Sequence, residues 1–205
     1  MAEHQIVPTK GNLLISKRLL KQAQTGYDLM DRKRNILIRE MVALSDRAKE
    51  LRGKIESTFA EAYKALQTAN ITLGANIPAT AQVPAETRLT LTSRSVMGVE
   101  LPTVSLERTE LKPVYGIAQS NSQLDIAYIK FDEAKYMAVT LAEIENSIFR
   151  LAHAIKKTQK RANALGNILV PRYKEQVKYV ADALEEKERE EFSRLKVIKA
   201  NQIKT

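Results

Sequence analysis

Apolar residues recur along the last third of the chain at alternating steps of three and four. Leu141, Ile144, Ile148, Leu151, Ile155, Thr158, Ala162 and Leu165 lie on one line, which predicts a helix with a single apolar seam and charged remaining faces. A second seam starts near the N-terminus. Slots 13, 20, 27, 34, 41, 48, 55 and 62, with the slots three residues after each, are apolar at thirteen of sixteen positions. The exceptions are Ser16, Arg34 and Thr58, and near Phe59 the pattern predicts a stutter. The candidate core is Leu13, Leu20, Tyr27, Leu37, Met41, Leu44, Leu51 and Ile55 on the first seam, and Leu141, Ile144, Ile148, Leu151, Ile155 and Leu165 on the second.

Pro8 and Thr9 open the first helix, with Thr9 as its N-cap, and the helix is expected over 9–70. The second is expected over 120–203. Pro171 removes one backbone hydrogen bond from it, yet seam residues resume at Tyr173, Val177, Val180 and Leu184, so the expectation is one helix bent near Pro171. Its seam steps by four through Leu165, Leu169, Tyr173 and Val177, where a supercoil unwinds.

Between the helices, over 71–119, periodicity gives way to Gly74, Pro78, Pro84, Gly98, Pro102, Pro113 and Gly116. RLTLTSRSV and VELPTVSLE alternate apolar and polar residues on either side of Met97 and Gly98, which predicts a β-hairpin within 88–107. Pro102 keeps the second strand at an edge. Leu89, Leu91, Val99 and Leu101 are the candidate partner-binding residues of this head, the plain alternative being an ordered loop.

The predicted fold class is therefore mainly α: a long antiparallel two-helix coiled coil with a small mid-chain head that contains a short β-hairpin. A helix of about 65 residues is about 95 Å long at about 1.5 Å per residue, longer than a globular domain of this mass is wide. Antiparallel pairing with residue numbers adding to about 208 would set Lys17, Arg18 and Lys21 opposite Glu185–Glu191, a block with five Glu. Exposed pairs of this kind contribute about 0.2–1 kcal/mol each. Stability must come from the seam.

Composition agrees: 28% charged, 5% aromatic and no Trp suit long helices better than a compact core. The apolar runs are too short for a membrane span, and the N-terminus lacks the apolar stretch of a signal peptide, so a cytoplasmic location is expected. Zero Cys removes disulfide and thiol chemistry, and two isolated His argue against a transition-metal site. His153 falls off the seam, on a solvated face. The net charge of +9 concentrates in residues 9–54, with 12 basic against 5 acidic residues, while residues 132–200 interleave 14 with 11. Such interleaving is unlike a basic nucleic-acid arm, and no nucleic-acid partner is expected. There is no GxxxxGK[ST] phosphate loop, no HExxH and no Cys nucleophile, so no catalytic, cofactor or metal residues are assigned. Taken alone, these patterns stop at a coiled coil that spaces or transmits something.

The two ends carry more. VPTKGNLLISKRLLKQAQTGYDLMDRKRNILIREM and KKTQKRANALGNILVPRYKEQVKYVADALEEKEREEFSRLKVIK, with VMGVELP between them, resemble the D subunit of the V-type (archaeal and bacterial A/V) rotary ATPases over about two thirds of the chain. Lys10, Gly11 and Asn12 stand where the family usually has Arg, Met and Glu, and Gly166 stands where it usually has Glu; each helical glycine loosens its turn by about 1 kcal/mol. The resemblance implies a non-catalytic rotor shaft, peripheral to the membrane. Its paired helix ends would enter the catalytic A/B ring, and its head would point toward the membrane, where the small central-stalk F subunit and the component linking the shaft to the membrane rotor ring bind. Lys17, Arg18, Lys21, Arg32, Lys33, Arg34, Arg194 and Lys196 are the candidate ring-facing cations, the alternative being that they are solvated. A coiled-coil scaffold or tether without a rotary role is the competing reading.

Overall fold

A computed structural model describes residues 7–74, 83–108, 111–112, 114–116 and 120–202. Pro78 and Pro113 of the predicted connector lie outside the described residues, as does the expected helix end at 203. The elements are α1 (Lys10–Leu73), β1 (Leu89–Val96), β2 (Val99–Leu106), α2 (Ser122–Ala164), one π-helical turn (Leu165–Leu169) and α3 (Val170–Gln202).

Local chemistry sets the ends of these helices. The Thr9 hydroxyl accepts from the Asn12 N–H at 3.2 Å, while its carbonyl takes the first helical bond from Leu13. Thr9 is thus the N-cap. Gly74, at φ +69°, follows the last residue of α1 in the left-handed conformation that closes many helices. Asn121 caps α2 by accepting from the Leu124 N–H at 2.9 Å, and its amide donates to the Thr72 hydroxyl on the last turn of α1. At the hairpin, Met97 and Gly98 both have positive φ, the two-residue turn whose twist matches paired strands.

The helix continues through Pro171. Leu165, Leu169, Tyr173 and Val177 spread three seam steps over twelve residues, where three α turns hold about 10.8. The π turn takes up the surplus, with the Val170 N–H reaching back to the Leu165 carbonyl.

The chain divides into two compact units, Met1–Asn35 with Lys156–Thr205, and Ile36–Ile155. In both, α1 runs antiparallel to the C-terminal helices. In the larger unit Arg52 meets Glu145 at 2.6 Å, Glu61 meets Lys130 at 2.9 Å and Thr72 meets Asn121. In the other, Lys10 meets Glu188 at 3.0 Å and Arg34 meets Gln159 at 2.9 Å. These numbers add to about 191–198, so the expected 208 is too large by about two heptads. The acidic block accordingly lies opposite the first turn of α1 at Lys10, and not opposite Lys17, Arg18 and Lys21. Slipping an antiparallel pair by a heptad returns apolar seam to apolar seam, which is why periodicity alone misplaces it. Cysteines at Arg52 and Glu145 should be joined efficiently by a short bismaleimide, whereas cysteines at Glu56 and Ala152, suited to a sum of 208, should not.

Small side chains carry the closest packing. Ser16, Ala23, Ala48, Ala62 and Ala69 on α1, and Ala127, Ala134, Ser147, Thr158 and Ala162 opposite, are buried. Along α1 the most buried line moves from the 16, 23, 37, 44 set to the 48, 55, 62, 69 set, the drift of an α-helix against a seven-residue repeat. It holds steps of seven past Phe59, without the expected stutter. Of the candidate core, Leu37, Leu44, Ile55, Ile144 and Leu151 are buried, and Leu13, Leu20, Met41, Leu51, Leu141, Ile148, Ile155 and Leu165 half-buried. Tyr27 stays 39% exposed.

Candidate functional site

β1 and β2 form a two-stranded antiparallel sheet in which Val96 pairs with Val99, Arg94 with Leu101 and Leu91 with Val104. Side chains alternate between faces, so Arg94, Val96, Val99 and Leu101 share one face and Leu89, Leu91, Val104 and Leu106 the other. The first face sits on the helix pair. Leu101 is fully buried in one cluster with Leu37, Leu44 and Ala48 of α1 and Ile144 and Leu151 of α2, and Val96 and Val99 pack against it. Leu101 and Val99 are thus core residues of this unit and not a free partner surface, because one face of β2 fills the groove between the two helices.

Polar contacts hold the hairpin in that seat. Arg94 reaches Glu40 of α1 at 3.2 Å, Arg150 of α2 donates to the Glu100 carbonyl at 3.1 Å, and Glu143 accepts the Val104 N–H at 2.9 Å. Glu100 and Val104 point their backbone groups away from β1, so the outer edge of β2 is taken up by α2 side chains and is not open. Pro102 lies between them and has no N–H to satisfy. The edge of β1 has no such cover among the described residues. Leu91 beside it is 70% exposed and Leu89 42% exposed.

Below the hairpin, Glu86 binds Arg88 at 2.9 Å and Lys135 at 3.0 Å. Hydrogen bonds from Arg88 and then Lys135 hold its carboxyl at about 2, below the usual carboxylate range. The Tyr115 hydroxyl donates to Asp125 at 2.6 Å, and burial together with that carboxylate pushes the phenol well above its ordinary value. These groups fasten the chain flanking the head to α2.

Among the predicted cations, Lys17, Arg18, Lys21, Arg32 and Lys196 are exposed and Lys33 is half-buried. Arg194 is exposed and pairs with Glu190 on its own helix. Arg34 belongs elsewhere: its guanidinium binds Asp31 and Gln159, a polar layer inside the helix pair, because it occupies a seam position. At the C-terminal end, Glu188 already pairs with Lys10, the first residue of α1. The helix beyond has no α1 turn beside it, and Phe192, Leu195, Val197 and Ile198 are 54–69% exposed.

A family model described as the ATP synthase D subunit matches residues 12–200, spanning both helices and the hairpin. The chain belongs to the ATP synthase D-subunit family. It is 45% identical over 196 residues to the V-type ATP synthase D subunit of Thermotoga neapolitana, covering 95% of this chain and 97% of that one. It is 37% identical to the A-type ATP synthase D subunit of Methanosphaera stadtmanae and 36% identical to that of Pyrococcus furiosus, each over 96% of this chain and 94% of the relative. For a chain of this family, the seat formed by Glu40, Glu143 and Arg150 is the part that sequence reasoning missed. Charges on the outer positions of a heptad give no sign of whether they meet solvent or a docked strand. Among the described residues no helix is long and apolar enough to cross a membrane.

Proposed function

We propose that this chain is the rotor shaft, the central-stalk component, of a V-type or A-type ATP synthase. It transmits torque between a catalytic A/B ring and the membrane rotor, and ATP is turned over by the ring and not by this chain. The observation that carries this reading is the C-terminal end of α3, where an apolar helix face outlasts its partner within a chain that matches the D-subunit family along nearly its whole length. Among the described residues nothing covers Phe192 and Leu195, and an exposed apolar face of this kind marks a surface for another protein. A ring of catalytic subunits closing around the tip supplies that surface. Exposed Lys17, Arg18, Lys21 and Arg32, with Lys196 near the tip, then face the passing ring, a screened attraction suited to sliding. Arg34, tied to Gln159, takes no part.

In the larger unit, the uncovered edge of β1 and the exposed Leu89 and Leu91 support contacts of the head with the small F subunit or with the component that links the shaft to the membrane rotor. The protein then works peripheral to the membrane, on its cytoplasmic side. Co-expression tests the assignment. The chain should co-purify with an A/B ring and a small F-like protein, and alone hydrolyse no ATP; a chain that joins neither overturns it.

A further inference from the structure

A two-helix seam that repeats every seven residues does not define its own register, since a slip of one heptad brings apolar residues back opposite apolar residues. The ion pair between Lys10 and Glu188 is exposed on both sides and too weak to choose. In the unit formed by the two chain ends, the Arg34–Gln159 layer marks the register at one point and a steric contact marks it at another. Gly166, in the π turn, lies against the ring of Tyr27: a Cβ on Gly166 would stand 2.7 Å from Tyr27 Cε2 and 3.0 Å from Cδ2. One residue earlier on each helix the sizes are exchanged, with Leu165 Cδ1 3.7 Å from the corresponding position on Gly26. That contact is ordinary van der Waals packing that an alanine would also make, so only Gly166 is excluded from carrying a side chain by the ring as it stands. The other two glycines of α1, Gly11 and Gly53, meet nothing at this range.

We propose that the seat of Tyr27 over Gly166 is the register key of the two helices. In the alignment slipped by one heptad, Tyr27 falls opposite Tyr173 and Gly166 opposite Arg34, so two rings compete for one space and a guanidinium replaces the ring over Gly166. A slip the other way sets Tyr27 against Gln159, where no glycine receives the ring. Neither restores the fit. The π turn belongs to the key because it presents Gly166 toward α1 while the seam continues into α3 at Tyr173 and Val177. The register so chosen determines how far the end of α3 runs past Lys10.

The test is a double-mutant cycle on the full chain, read by thermal unfolding and by thiol crosslinking. With Tyr27 present, Gly166→Ala should lower the unfolding midpoint by about 3–6 °C. It should also reduce several-fold the yield of a short crosslink between cysteines at Lys10 and Glu188, while raising that between cysteines at Lys17 and Glu188, which reports a slip of one heptad. In a Tyr27→Ala background the same Gly166→Ala should raise the midpoint, because alanine is the better helix former once the ring is gone. A change of the same sign in both backgrounds overturns the proposal. So does a lower midpoint with an unchanged crosslink pattern, which would make the contact ordinary packing.

Discussion

ATP hydrolysis by the assembled complex is expected to all but stop when a cysteine at Ser193 forms a disulfide with the facing ring component, and to return on reduction. Ser193 is exposed, on the part of α3 that lies beyond the first turn of α1. The chain has no native cysteine to compete. In the proposed rotor each catalytic interface would be driven through its states by the shaft face it meets, so a shaft that cannot turn would leave the interfaces where they are. The measurement is steady-state hydrolysis before oxidation, after it, and after reduction. Undiminished hydrolysis with the bond intact would replace the rotor by a static tether. Family membership would stand in either case, since it rests on the sequence match.

Leu101→Ala is expected to destabilise the larger unit by about 2–5 kcal/mol, the usual range for a buried leucine whose cavity cannot collapse. Leu101 is fully buried among Leu37, Leu44, Ala48, Ile144 and Leu151. Leu101→Asp should cost more, since it puts a carboxylate among the apolar side chains of that cluster. Leu91→Asp, on the outward face and 70% exposed, should change stability by no more than about 0.5 kcal/mol while weakening whatever binds the head. Chemical denaturation of the three variants checks the contrast. Equal losses from Leu91→Asp and Leu101→Asp would mean that the hairpin is not seated by this face.

Much of the architecture is written in local signals. The seams, the Thr9 cap, the glycine after Leu73 and the Met97–Gly98 turn each act within a few residues, where side-chain chemistry and backbone sterics decide the outcome. The described helices end at Leu73 and restart at Ser122, against 70 and 120 from periodicity. The two end motifs pointed to the family because they are contiguous and distinctive.

Other features depended on residues far apart in the chain. The alternation of β2 predicts a strand, but not that Leu101 would lie between α1 and α2, nor that Glu143 and Arg150 would take up the outer backbone groups of that strand. Arg34 looked like a surface cation until Asp31 and Gln159 closed around it. Two amphipathic helices, a hairpin between them and their antiparallel sense are legible in the chain's own residues, because periodicity, turn chemistry and connector length are properties of short stretches. The register and the seat of the hairpin come from packing between distant segments. Heptads are equivalent to one another under slippage, and what tells them apart is the fit of particular side chains, such as Tyr27 over Gly166, across more than a hundred residues of chain.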